Sequence, residues 1–130
     1  MLGVKTYPQD YIDRCRVRFE AAVADFDDAA ARPGLEVPYF NHWVLILDYC
    51  FVHRLRTVEG KDGNPLNEVR VLCSSLLENE GKFRPLDNIK LRPEASILKY
   101  RAGDEIRIRR DDFVSLASAF LAEIERKFSA

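Results

Sequence analysis

The stretch from Asn41 to Arg56, Asn-His-Trp-Val-Leu-Ile-Leu-Asp-Tyr-Cys-Phe-Val-His-Arg-Leu-Arg, is the most apolar run in the chain. A helix turns 100° per residue, so Val44, Leu47, Phe51 and Leu55 share one side, with Trp43 and Cys50 beside them. Leu45 and Val52 fall on the other flank. A helix apolar nearly all the way round is one buried on most of its sides. The run is therefore expected to form the central helix, opening at Pro38 or Tyr39, with the other segments packed around it. Its longest apolar piece, Trp43 to Val52, is broken by Asp48 and falls well short of the ~20 residues of a membrane span.

The flanking segments carry their own signals. Thr6-Tyr7-Pro8-Gln9 resembles a capping box with a proline in the first turn. It opens a helix whose buried stripe is Tyr11, Cys15, Phe19, Ala22, Phe26 and Ala30, expected to stop before Pro33-Gly34. Asp25, Asp27 and Asp28 near its end read as a solvated acidic patch, and residues 32–38 as a loop. After the turn Gly60-Lys61-Asp62-Gly63-Asn64, Asn64 is a good N-cap and Pro65 a good first helical residue. The third helix is thus predicted over Pro65 to about Glu80, with Gly81 as its left-handed stop. Its outer positions, Glu68, Ser74, Ser75, Glu78 and Glu80, are expected to be exposed.

Residues 82–96 have no period and contain Pro85 and Pro93, a long connection of the kind that is functional or mobile. The period then becomes two. Leu98, Tyr100, Ile106 and Ile108 alternate with Lys99, Arg101, Arg107 and Arg109 about Ala102-Gly103-Asp104, which predicts an amphipathic β-hairpin. Asp111 is expected to cap a last helix with the stripe Phe113, Leu116, Ala117, Phe120, Leu121, Ile124 and Phe128. The fold class expected is mainly α (α+β): a single domain over 1–130, a four-helix bundle-like arrangement with one β-hairpin before the last helix.

Composition enters as a bound. With 130 residues, 47% hydrophobic and 32% charged, the chain fits one globular domain, and a net charge of −1 gives no global pull toward nucleic acid or membrane. Cys15, Cys50 and Cys73 are odd in number and lack a C-x-x-C spacing, which argues against a disulfide framework and a cysteine zinc site. Reduced thiols and the lack of an apolar leader at the start suggest a cytoplasmic protein.

Four groups of residues could carry chemistry. His42, Tyr49 and His53 share a helical stripe, but the two histidines stand roughly 16 Å apart and cannot hold one ion. No metal site and no cofactor are therefore expected. Asp48, amid Val44, Leu45, Val52 and Leu55, needs a partner; Arg16, Arg18 and Arg70 are the candidates for a buried ion pair. The alternatives are a base with a perturbed pKa in a pocket, or a carboxylate turned to solvent. His53, Arg54 and Arg56 should meet Lys61 and Asn64 at the glycine turn, where the next helix start favours an anion; a plain interhelical turn explains the same residues. The fourth is basic: between Lys82 and Arg110 the net charge is +5, against −6 for the rest. Lys99, Arg101, Arg107 and Arg109 could contact phosphates, or could be a solvated sheet face. The acidic third helix makes a poor recognition helix beside them.

The runs Asn41-His42, Leu47-Asp48, Phe51 to Arg56 and Lys61 to Arg70 resemble those of small uncharacterised bacterial proteins, over roughly two-thirds of the chain. The ending, Gly103 to Arg107 followed by Asp112-Phe113, is similar as well. The resemblance implies no activity, cofactor or catalytic residue. The leading expectation is a helical domain that acts through protein contacts or self-association, as a homodimer. The alternatives are a small-molecule or anion-binding protein, an enzyme among the options, with its site at the end of the central helix and the 60–64 turn, and a nucleic-acid binder through the basic β-hairpin.

Overall fold

A computed structural model describes residues 3–29 and 34–130. The chain is mainly helical. Five α-helices follow in order: α1 (Gln9–Asp28), α2 (Glu36–Cys50), the single turn α3 (Arg56–Glu59), α4 (Pro65–Glu78) and α5 (Arg110–Phe128). A short 3-10 turn covers Pro93–Ala95. Among the described residues no helix is long and apolar enough to cross a membrane.

The helix that touches every other is α5, not α2. It packs on α1, α2, α3 and α4. Its stripe, Phe113, Leu116, Ala117, Phe120, Leu121, Ile124 and Phe128, is buried throughout, as the spacing predicts. The α2 helix instead packs on α1, α4 and α5 through Phe40, Val44 and Leu47, and leaves one side open. On that side Tyr49 is 74% exposed, and Ile46 and Val52 are partly exposed.

The ends of the helices differ from the expected ones in instructive ways. No side chain caps α1; Pro8 occupies the cap position, and Gln9 donates to Asp13 at 3.1 Å and Glu125 at 3.5 Å in place of a capping box. The expected stop at Pro33, the stripe residue Ala30 and the start of the 32–38 loop lie outside the described residues. Asp25, Asp27 and Asp28 are exposed, as a solvated patch requires, and Arg110 holds Asp27 with two bonds of 2.8 Å. Helix α2 begins two residues earlier than Pro38 and ends at Cys50, short of Leu55. Beyond Cys50 the amides of Phe51, Val52 and Arg54 bond to the carbonyls of Asp48, Tyr49 and Phe51, a tightening that unwinds the helix. His53 and Leu55 then pair with Val4 of the N-terminal arm, while Tyr7 pairs with Phe128 and Ala130. Helix α4 starts where predicted, with Asn64 Oδ1 accepting the Leu66 and Asn67 amides, and Gly81 (φ 78°) donates back to Ser75 beyond its end. The cap of α5 comes from Asp112, whose carboxylate accepts the Arg109 amide at 3.1 Å, and not from Asp111.

The β-hairpin over Leu98–Arg109 is not confirmed. Ile106 and Ile108 are buried and Arg107 and Arg109 exposed, so the alternation reports burial correctly. The pairing partner is different: Phe83 and Ile106 amides donate to Asp104 and Gly81 carbonyls, making a single antiparallel bridge, Lys82 with Glu105. The first arm is held away by Tyr100, which stacks on Phe83 and accepts the Arg107 amide through its hydroxyl. The 82–96 connection is a packed strap. Phe83 and Ile89 enter the core, Ser75 Oγ accepts the Arg84 amide at 2.9 Å, and the Lys90 amide bonds to Lys61.

Candidate functional site

The polar centre of the molecule lies where α2 ends. The turn after Cys50 points Arg54 inward, and the single turn of α3 does the same for Glu59; both side chains are fully buried. Glu59 receives four hydrogen bonds. Arg54 Nε (2.8 Å) and Arg70 Nη2 (2.6 Å) bond to Oε1, and Asn67 Nδ2 (2.8 Å) and Arg70 Nε (3.1 Å) to Oε2. Arg54 spends its remaining donors on Asp48 Oδ1 (2.9 Å), the Phe51 carbonyl (3.1 Å) and the Leu66 carbonyl (3.4 Å), and its guanidinium lies 5.4 Å from the Phe120 ring centroid. Two carboxylates thus face two guanidiniums with their charges balanced. Burial opposes ionisation of Glu59, but the bonds from Arg70 and Asn67 and the charges of Arg54 and Arg70 outweigh it and hold the carboxyl below the usual glutamate range.

Asp48 therefore has the buried partner its setting requires, but the partner is Arg54 and none of the three arginines singled out by helix position. Arg16 pairs with Asp13 and Glu125, Arg18 lies against Cys50 Sγ, and Arg70 holds Glu59. The turn that unwinds α2 decides this, because it folds Arg54 back along the helix end.

The same network absorbs much of the anticipated anion site. Asn64 caps α4 and donates to the Glu59 carbonyl and Asp62, both at 2.8 Å. Asn67 bridges the Gly63 amide, the Gly60 carbonyl and Glu59. Lys127 closes the turn by donating to the Glu59 carbonyl at 2.8 Å. Gly63 (φ 87°) lies so near the strap that a Cβ would stand 2.3 Å from the Lys90 carbonyl oxygen. Of the five residues, Arg54 and Asn64 are thus engaged in holding the turn. His53 and Arg56 are exposed and line a shallow cleft of about 350 Å³ with Val52, Leu55 and Arg70, and Lys61 is exposed on the turn outside that lining.

The other candidates are dispersed. His42 bonds through Nδ1 to the Pro38 carbonyl at 2.6 Å, Tyr49 faces outward, and His53 lies beyond the helix, so the three form no common stripe. Among the described residues no three His, Cys, Asp or Glu side chains are grouped to hold a metal. Lys99, Arg101, Arg107 and Arg109 are all exposed; Arg107 pairs with Glu105 at 3.2 Å, Arg109 with Glu36 at 3.5 Å, and Lys99 donates to the Glu94 carbonyl. A wider cleft of about 1040 Å³ opens between the start of α2, the end of α4 and residues 105–109. His42, Asn41, Lys82, Arg107 and Arg109 are among its lining residues.

Sequence reading missed Glu59, Asn67 and Glu68. Glu68 and Ser75, expected on the outer face of α4, are buried. Glu68 accepts the Ile97 and Leu98 amides at 2.8 and 2.9 Å, which clamps the end of the strap to α4, and burial pushes its carboxyl above the usual range. One signal was available: the cap Asn64 is followed at once by Asn67 and Glu68, which begin the turn of α4 that faces both loops.

On the open side of α2 an apolar groove of about 460 Å³ runs between α2 and α4, lined by Leu45, Ile46, Asp48, Tyr49, Val52, Cys73 and Leu77. Leu77 is 69% exposed. The groove shares Leu45 and Leu77 with the wide cleft at one end and Val52 with the His53–Arg56 cleft at the other, so the three form one continuous surface. No family model, curated protein or solved structure matches the chain.

Proposed function

We propose that the chain works by self-association, with a second copy seated two-fold on the α2–α4 face. The observation that carries this is the exposed apolar row Ile46, Tyr49, Val52 and Leu77 along one groove. Isolated exposed apolar residues are ordinary, but a contiguous set marks a contact surface. Two helices of this length give a face roughly 20 Å long, the scale of a standard interface of about 800 Å² per partner.

Charge placement favours a copy of the same chain over an unrelated partner. Exposed Glu78 and Glu80 stand at one end of the face, and exposed His53 and Arg56 at the other. An isologous two-fold contact with α2 antiparallel to its mate sets each acidic end against the other copy's basic end. Buried polar cost is small, because Asp48, the carboxylate in the groove, already bonds to Arg54. We place the protein in the cytoplasm, a compartment that keeps Cys15, Cys50 and Cys73 as free thiols.

Sedimentation equilibrium tests it. The intact chain is expected to form dimers in the micromolar range, more weakly at high salt, and Tyr49→Glu with Leu77→Glu to be monomeric with unchanged far-UV circular dichroism. A chain that is monomeric at every concentration, or a double variant that dimerises as well as the parent, would sink the reading.

The wide cleft at the start of α2 supports a second reading, binding of a small anionic molecule at His42 and Lys82 that draws Arg107 from Glu105 and Arg109 from Glu36, the carboxylates that share its lining with Glu80. Calorimetric titration with inorganic phosphate and with citrate distinguishes it: heat that His42→Ala and Arg107→Ala abolish supports it, and no heat from either anion removes it.

A further inference from the structure

His53, Arg56 and Arg70 line one cleft of about 350 Å³ beyond the end of α2, with Val52 and Leu55 as its apolar wall. Among the described residues that line it there is no carboxylate, whereas Glu36, Glu80 and Glu105 share the wide cleft with that cleft's cations. Asp48 and Glu59 act on it only through the guanidiniums they hold: Asp48 bonds to Arg54, and Glu59 to Arg54 and Arg70. Those two carboxylates balance those two arginines. Arg56 is exposed and has no ion-pair partner among the described residues, so it is one full positive charge in excess. An imidazole such as that of His53 adds a second by taking a proton beside a bound anion. Arg70 is fixed in place. Its Nε and Nη2 bond to the wholly buried Glu59 at 3.1 and 2.6 Å, while Nη1 has no hydrogen-bond partner among the described residues. The Tyr7 hydroxyl is the only buried polar side-chain atom left unpaired among them, so Nη1 meets solvent.

We propose that this cleft binds the phosphate group of a small phosphate monoester, with His53, Arg56 and Arg70 on the phosphate and Val52 and Leu55 against the esterified group. The excess charge suits a dianion, and guanidinium donors match phosphate oxygens in geometry. Arg70 reaches the ligand with the one nitrogen that Glu59 leaves over. Because Glu59 already holds the other two, little side-chain freedom is lost on binding. Arg56 is the opposite case, a mobile charge that closes over the ligand from the rim. The volume is at the small end of ligand pockets, which limits the occupant to a phosphate with one compact substituent. In the two-fold contact proposed above, His53 and Arg56 face Glu78 and Glu80 of the second copy. A bound dianion therefore competes with that contact. This consequence rests on the self-association reading, and the site itself does not.

The test titrates the full-length chain at low ionic strength with phenyl phosphate and with inorganic phosphate, by calorimetry and by the amide NMR shifts of residues 52–57. The expected result is saturable one-site binding that is tighter for phenyl phosphate, with the shifts confined to that segment and its surroundings. Arg56→Gln, a change at an exposed side chain, should weaken it on the order of tenfold, and His53→Gln should weaken it as well. His42→Ala and Arg107→Ala, at the wide cleft, should leave it unchanged. No binding of phenyl phosphate, binding that Arg56→Gln does not alter, binding that the wide-cleft variants abolish, or equal affinity for the two probes would each overturn the proposal. Sedimentation with and without phenyl phosphate separates the two readings. A chain that binds the probe at this cleft and is monomeric throughout keeps the site and loses the self-association.

Discussion

Changing Glu59 to Gln keeps the side-chain shape and removes its charge. The carboxylate now accepts from Arg54 Nε, Arg70 Nη2, Arg70 Nε and Asn67 Nδ2. An amide has one acceptor oxygen, so whichever pair it keeps, its NH2 group faces donors on the other side. Arg54, wholly buried, is left with Asp48 as its only counter-charge, and Asp48 is partly solvated. Removing one partner of a buried ion pair costs about 3–5 kcal/mol, because the charge that stays behind is uncompensated. That is a large share of the roughly 5–15 kcal/mol by which a domain is stable. For a chain of this size it corresponds to a fall in Tm of about 11–18 °C. Urea unfolding followed by far-UV circular dichroism and by fluorescence of Trp43 reads the loss, with an unchanged m-value as the sign that only the native state was weakened. The cycle closes with Arg54→Met. Alone it leaves two carboxylates facing each other's field; combined with Glu59→Gln it should cost less than the sum of the singles by at least about 1 kcal/mol. A Glu59→Gln cost below about 1 kcal/mol, or strict additivity, would refute a coupled ionic centre and make Glu59 a spectator.

Two further outcomes follow from the same interior. Tyr7 Oη is buried without a hydrogen-bond partner among the described residues, so Tyr7→Phe should leave stability unchanged or raise it by about 1 kcal/mol; a clear loss in thermal unfolding would mean the hydroxyl has a partner. The stability profile against pH should be set by Glu59 and Glu68 with opposite signs. Glu59 is held below 4.5, so its contribution is complete above that value and is lost as pH falls through the folded pKa. Glu68 is raised above 4.5, so its ionisation penalises the native state at higher pH, and acidification through its folded pKa relieves that penalty. Asp27, Asp62 and Glu123 share the Glu59 sign, and the net expectation is a loss of stability below pH 4.5. Urea midpoints that rise steadily as pH falls from 4.5 would contradict it.

Periodicity alone was enough for the helices whose signals are local. The stripe of α5 and the Asn64-Pro65 start of α4 stand as read, because a 3.6-residue period and a cap involve residues within one or two turns of each other. Alternation at Ile106 and Ile108 likewise predicted burial. It did not name the pairing partner, since a two-residue period states which face is inside and not which backbone lies alongside; here that backbone is Gly81–Phe83.

The apolar run that promised a central helix is where local and tertiary information part. From its residues the sequence determined that it would be a helix apolar on nearly all sides, and that Asp48 would need a cation. Tertiary structure decided which cation, because the partner is set by where α2 unwinds and Arg54 turns back toward Glu59 and Arg70, contacts made across five to eleven residues and two turns. It also decided that one apolar side of α2 stays open, with Ile46, Tyr49 and Val52 outward. A helix can be covered only by what the rest of the chain has to spare, and α5, in contact with all four other helices, took the centre.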